Sequence, residues 1–320
     1  MATFYDLAAE NRRRSLLLVL IVVAILVALA TSAGIALTGT VDSALPFTGV
    51  SFLLGFLLTL GAWFGGDRAV LAAAGAKPLD PQAGLEEQQL DNIVTELSLA
   101  ANLPKPKVYV IDDTALNAFA TGRDPAHASV AVTRGLMAKL DREEMGGVIG
   151  HELSHVRNFD IRYGLLVAAL VGSLALLSDL ILRYAFWGGG RRRSDDREGG
   201  NALQALFVVL AIVLAVLAPI AARMVQLAVS RQREYLADAS GVELTRNPEG
   251  LERALAKLAG DKEVLEVATK ATAHLYMVNP VKRFEARAAG FLATHPPISD
   301  RINRLRALRG ARPLAAASES

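Results

Sequence analysis

The sequence predicts a mostly α-helical integral membrane protein with a small β-sheet, about four transmembrane helices and a polar portion facing the cytoplasm. Three observations predict it. Four apolar stretches have bilayer-spanning length, β-rich runs cluster between residues 107 and 133, and a polar helix with two histidines at i and i+4 directly precedes the third apolar stretch. With 52% hydrophobic residues over 320 positions, the chain is too apolar for an ordinary soluble domain of that length. A lipid bilayer is therefore its first expected partner.

The elements follow in order. Residues 16–37, "LLLVLIVVAILVALATSAGIAL", carry no charge, and at about 1.5 Å per residue they can cross a hydrocarbon core of about 30 Å. Arg12, Arg13 and Arg14 precede this run. It exceeds the roughly 7–15 residues of a signal-peptide core, so it reads as an uncleaved anchor. The connection "TGTVDSAL" contains no Lys or Arg and leads into a second uncharged run at 46–66. That asymmetry places the N-terminus and everything after residue 67 on the cytoplasmic side. Residues 1–66 thus form an N-terminal transmembrane hairpin.

Residues 67–162 are polar and read as the first part of a folded domain. Within 86–103, Leu90, Ile93, Val94 and Leu97 recur at helical spacing and Pro104 follows, which predicts an amphipathic helix and its stop. Strands are predicted at "KVYVID" (107–112), "NAFATG" (117–122) and "ASVAVT" (128–133), the last two separated by a turn-like stretch. A helix begins at Asp141, a suitable N-cap with Glu143 and Glu144 in its first turn, and runs through Asn158. Residues 163–222 form a second hydrophobic hairpin, with apolar runs at 163–182 and 202–222. Residues 223–310 are polar and helix-rich, and 311–320 read as an unstructured tail.

Charge and cysteine content narrow the chemistry. A net charge of +2 gives no case for nucleic acid as a partner. The chain has no cysteine, so any metal falls to histidines and carboxylates. In "HELSH", His151 and His155 project from one helix face about a turn apart and can ligate one ion. Two imidazoles and a third protein ligand would hold zinc and leave a position for water, whose pKa the ion lowers. Glu152 is then placed to take the water's proton and pass it to a leaving amine.

The third ligand distinguishes subclasses. A metzincin would need His at 161 after Gly at 158, but those residues are Ile161 and Asn158. A thermolysin-like glutamate about twenty residues downstream would fall in the apolar run, where only Asp179 is available. Beyond the hairpin, "SRQREYLAD" (230–238) offers Glu234 and Asp238 at i and i+4. One carboxylate can bind the ion while the other accepts a hydrogen bond from a ligand imidazole.

Taken in order, "NAFATG" at 117, "HELSH" at 151, "REYLAD" at 233 and "THPPISDRI" at 294 resemble the HtpX-type membrane metalloproteases, relatives of the CAAX prenyl endopeptidases. The resemblance covers nearly the whole chain. It implies a gluzincin-like zinc endopeptidase domain on the cytoplasmic face of a bacterial-type inner membrane, in a multi-pass protein. Its expected work is membrane-protein quality control under stress, with membrane or misfolded proteins as substrates. It also implies one Zn2+ per chain held by His151, His155 and Glu234, with Glu152 as base and Asp238 hydrogen-bonded to a ligand imidazole.

Two further motifs gain roles from the same resemblance. Asn117, Ala118, Phe119 and Ala120 would lie on an edge strand that receives an extended peptide. By pattern alone they are simply a strand. His295 and Arg301 would lie near the metal, where a donor could stabilise the oxyanion. By pattern alone their segment is a proline turn leading into a C-terminal helix.

His151 and Glu234 flank the second hairpin, so both its ends must lie on one side of the membrane. The hairpin is expected to cross twice, although its connection, "RYAFWGGGRRRSDDREGG", carries an arginine excess that disfavours the far side. Glu143, Glu144, Arg157 and Asp160 make the HELSH helix polar on both flanks, which puts catalysis at the membrane surface. Two other functions share these features: a prenyl-protein endopeptidase, and a catalytically silent membrane scaffold or chaperone. Four apolar runs rather than a larger set disfavour the first, and the intact Glu152 disfavours the second.

Overall fold

The computed structural model describes residues 4–183, 202–261, 263, 276–277 and 296–314, apart from some side chains inside the long helices. Its elements in chain order are α1 (Phe4–Thr38), α2 (Val41–Ala73), β1 (Lys77–Pro78), α3 (Leu85–Ala100), β2 (Lys107–Ile111), β3 (Ala118–Gly122), β4 (Ala128–Thr133), α4 (Arg134–Lys139), α5 (Arg142–Arg157), α6 (Asp160–Arg183), α7 (Ala202–Thr245), α8 (Pro248–Gly260) and α9 (Ile298–Leu308). The protein is mostly helical with one small sheet, as its sequence predicts.

The chain forms two compact units. One comprises Arg12–Trp63 and Leu166–Gln226, the other Met1–Asn11, Phe64–Leu165 and Leu227–Ser320. In the first, Leu26 and Leu29 of α1 share an apolar cluster with Leu174 of α6 and with Ala215 and Ala218 of α7. Among the described residues, no helix is long and apolar enough to cross a membrane. Several side chains in the apolar stretches of α1, α2, α6 and α7 lie outside the description.

The second unit is built on a four-stranded sheet of order β1-β2-β4-β3. β2 and β4 pair in parallel, while β1 pairs β2 and β3 pairs β4 antiparallel. Period-two alternation gives this sheet two buried faces. Val108, Val110, Ala118, Ala120, Val130 and Val132 point into the larger core, which they share with α3, α5 and α8. Ile111, Phe119 and Ala131 point to the opposite side, against Leu71, Ala74 and Tyr276. Helix α3 buries Leu90, Ile93 and Val94, the stripe read from its spacing. The two-residue strand β1 carries no alternation pattern and was not anticipated.

The start of α5 is fixed locally. Asp141 accepts from the Glu144 amide at 2.9 Å, and the Glu144 carboxylate accepts in return from the Asp141 amide at 2.9 Å, a reciprocal capping box. Lys257 of α8 closes on the same Glu144 carboxylate at 2.6 Å, so the cap also joins two helices. Farther along, α5 meets α7 glycine against glycine. A Cβ on Gly241 would stand 2.9 Å from the His151 amide nitrogen, and one on Gly150 would stand 3.2 Å from the Gly241 carbonyl oxygen. Only bare backbones can approach this closely. The contact brings the turns of α7 that carry Glu234 and Asp238 against the HELSH turn of α5.

Candidate metal centre and active site

The two imidazoles of α5 and the Glu234 carboxylate of α7 converge. The Nε2 atoms of His151 and His155 lie 3.2 Å apart. Glu234 Oε2 is 3.6 Å from His151 Nε2, and its Oε1 is 3.6 Å from His155 Nε2. Among the described residues, these three form the group able to hold a metal ion, with ligand atoms all within 4.8 Å of one another. Tetrahedral ligands about 2.0–2.1 Å from an ion stand about 3.3–3.4 Å from each other, so the donor set fits zinc.

The outward ring nitrogens support the same reading. Asp238 Oδ1 lies 2.9 Å from His151 Nδ1, and Asp160 Oδ2 lies 3.1 Å from His155 Nδ1. A carboxylate oxygen at each Nδ1 draws the ring proton there and leaves both Nε2 lone pairs aimed inward. Without a metal ion or a proton on His155, two lone pairs and a carboxylate facing one another would repel.

Arg301, fully buried at 0% exposure, ties the carboxylates together. It donates to both Asp238 oxygens at 2.7 and 2.9 Å and lies 3.2 Å from Glu234 Oε2. Burial would raise the Asp238 pKa, but the Arg301 charge and the His151 hydrogen bond hold it below its usual value. Burial likewise disfavours a charge on Arg301, yet Asp238 and Glu234 keep its pKa raised. For His155, burial disfavours the charged ring, but Asp160, Glu234 and Glu152 outweigh it and push the pKa up to about 9.

Glu152 is buried beside this cluster, and burial pushes its carboxyl pKa up against the opposing pull of His151 and His155. The Ala120 backbone N–H donates to it. Strand β3 therefore stands next to the base as well as at the end of the sheet. Just before β3 the Asn117 backbone bonds to Thr133 of β4, whereas the backbone of Ala118 and Ala120 addresses the open side. On that side the Ala118 carbonyl accepts from the Met277 amide at 2.9 Å, and the Met277 carbonyl accepts from Arg301 Nη1 at 3.3 Å. Phe119 points away, into an edge-to-face contact with Tyr276.

The structure thus gathers His151, Glu152, His155, Glu234, Asp238 and Arg301 around one point; of the predicted edge residues Ala120 reaches it through its amide on Glu152 and Ala118 through Met277, whereas Asn117 bonds to Thr133 and Phe119 faces Tyr276. His295 lies outside the described residues. In the sequence Asp160 is only a flanking charge and Arg233 carries no signal, yet in the structure Arg233 lies against Asp160. No spacing rule could have found that pair, because its members stand 73 positions apart in the chain.

Residues 84–309 match peptidase family M48. The chain belongs to that family. It is 40% identical over 302 residues to a protein called Protease HtpX homolog from Streptococcus uberis, covering 94% of this chain and 99% of the relative. A protein of the same description from Thermoanaerobacter pseudethanolicus is 41% identical over 309 residues, covering 96% and 98%. Among solved structures, Ste24p from S. mikatae superposes with a TM-score of 0.52 at 19% identity, covering 80% of this chain and 57% of that one. That likeness concerns the fold. The M48 chain is a metalloprotease, and its HtpX relatives favour the endopeptidase reading over a prenyl-protein peptidase or a silent scaffold.

Proposed function

We propose that this M48 protein is a membrane-anchored zinc endopeptidase that cleaves membrane or misfolded proteins at the cytoplasmic surface of a bacterial-type inner membrane. The observation that carries the chemistry is the convergence of His151, His155 and Glu234 beside a buried Glu152. The four uncharged or nearly uncharged stretches carry the membrane part. Segments 67–162 and 223–310 together would form the catalytic portion, interrupted by the hairpin 163–222.

His151, His155 and Glu234 would hold one zinc ion, whose Lewis acidity would serve to activate water and polarise the scissile carbonyl. Asp238 keeps the His151 proton on Nδ1, and Arg301 holds Asp238 and Glu234 in register. Glu152, with its raised pKa, accepts a proton from the attacking water and delivers it to the leaving amine. The Ala120 N–H orients that carboxylate toward the cluster. Strand β3 is an edge of the sheet, and an extended peptide can add along it and present its scissile bond to Glu152 once it displaces the Met277 amide from the Ala118 carbonyl. Arg301 already spends its donors on Asp238, Glu234 and Met277, which suits holding the site more than meeting an oxyanion. His295 would remain the donor to test for that role.

The deciding experiment combines metal analysis of the purified full chain with cleavage of casein and of a membrane-protein substrate. About one zinc per chain, with cleavage abolished by a chelator and restored by zinc, is expected. Cleavage that persists in metal-free protein would overturn the reading.

A further inference from the structure

We propose that Asp160 is a positioning residue for His155, so that each imidazole of the HELSH pair is held by its own aspartate–arginine pair. The inference rests on the zinc reading above and extends it to two residues with no role there. Asp160 follows His155 by five positions, and in an uninterrupted helix that spacing would turn it well away from the imidazole. Instead α5 stops at Arg157, Phe159 takes a left-handed φ of 60°, and α6 begins at Asp160. A bulky residue rarely adopts that conformation. The break returns Asp160 beneath the ring, with Oδ2 3.1 Å from His155 Nδ1.

The other side of Asp160 is fastened as well. Arg233 Nε lies 3.4 Å from Asp160 Oδ1, and its Nη1 donates to the Asp160 backbone carbonyl at 3.3 Å. Both side chains are buried, at 6% exposure each. Arg233 immediately precedes Glu234, so the clamp links the helix bearing the carboxylate ligand to the second imidazole. On the opposite side of the site Arg301 forks onto Asp238, which meets His151 Nδ1. The arrangement is duplicated: arginine, aspartate, imidazole, on each side. Burying an ion pair to join two helices is costly and could be replaced by apolar packing. Aiming its carboxylate at a ring nitrogen serves the ring, fixing its tautomer and raising its basicity toward a metal.

The test uses the full-length protein in detergent, with zinc affinity read by chelator competition. Asp160→Asn preserves size but removes the charge that holds the Nδ1 proton, and it should weaken zinc by about 10- to 100-fold. The visible spectrum of cobalt-substituted protein should shift in the same variant, which loss of packing alone would not produce, and the melting temperature of the metal-free form should fall because Arg233 and the charged His155 lose a buried partner. Asp179→Asn, an exposed carboxylate on the same helix, should leave all three unchanged. Arg233→Gln loosens the clamp without touching the His155 hydrogen bond and should weaken zinc by a smaller factor; if Asp160→Asn does not fold, this variant decides. Wild-type zinc affinity and an unshifted cobalt spectrum in the folded variant overturn the assignment alone. A wild type that binds no zinc overturns the zinc reading and this assignment with it.

Discussion

Glu152 and Glu234 are both buried carboxylates facing the same two imidazoles, yet their settings give them different work. Glu234 places an oxygen near each Nε2, whereas Glu152 accepts the Ala120 N–H and has a raised pKa from burial. Glu152→Gln should therefore retain about one zinc and lose cleavage by about 10²-fold or more, the scale of a lost general base. Glu234→Gln should lower zinc affinity and cleavage together, and added zinc should partly restore activity. Metal content and turnover measured on the same preparations separate the two; full zinc affinity in Glu234→Gln would send the search for a third ligand elsewhere, beginning with His295. The pH dependence follows from His155. Its metal-free pKa of about 9 lies above the ordinary value of 6.5, so its charge stabilises the metal-free fold fully below pH 6.5, and that contribution is lost as pH rises through 9. A metal ligand must be neutral, so zinc binding at pH 7 should expel about one proton from this ring, and affinity should climb until about pH 9. Calorimetry in buffers of different ionisation enthalpy measures the released proton, and zero release would show that His155 is already neutral.

At the level of elements, the site depends on how closely α5 and α7 approach. Gly150 and Gly241 face each other at that crossing, and a side chain on Gly241 would collide with backbone at His151. Gly241→Val should cost about 1–3 kcal/mol by overpacking and should also lower zinc affinity, because it displaces Glu234 and Asp238 from α5. Gly146, on the same helix α5, has open space where a Cβ would sit. Gly146→Ala should stabilise by about 0.5–1 kcal/mol and leave zinc unchanged. Denaturation and metal titration of the two variants check the contrast, and a Gly241→Val that binds zinc normally would remove the crossing from the account. Much at this scale was legible in the sequence. The Asp141 cap, the α3 stripe and the pairs 151/155 and 234/238 are short-range patterns set by the geometry of one helix turn. Position 160 was not legible, because its reach to His155 depends on one positive φ at Phe159, which no periodicity announces. Nor was the bond from Met277 to Ala118, which joins residues far apart in the chain and leaves no spacing signal.

For the whole molecule, the question is how a site assembled from two separated segments relates to the bilayer. The uncharged runs were plain in the sequence, and they form long helices, but their passage through lipid is a property of chain and solvent together. His151 and Glu234 meet in one site although the hairpin at 163–222 separates them in sequence. A hairpin in the bilayer would then need both ends on the same face, so it would cross twice or dip and return. The Arg-rich connection opposes full crossing, whereas the spanning length of both runs favours it. Because the chain has no cysteine, single engineered cysteines report without background. Ser43→Cys in the first connection and Ser194→Cys in the second should both react with a membrane-impermeant reagent applied to intact cells. A cysteine near the N-terminus should react only after lysis, since Arg12, Arg13 and Arg14 favour the cytoplasmic side for that end. Labelling at 43 without labelling at 194 would make the second hairpin a re-entrant pair, still returning Glu234 to the side of His151. Labelling of the N-terminal cysteine in intact cells would invert the orientation and place the peptidase outside the cytoplasm.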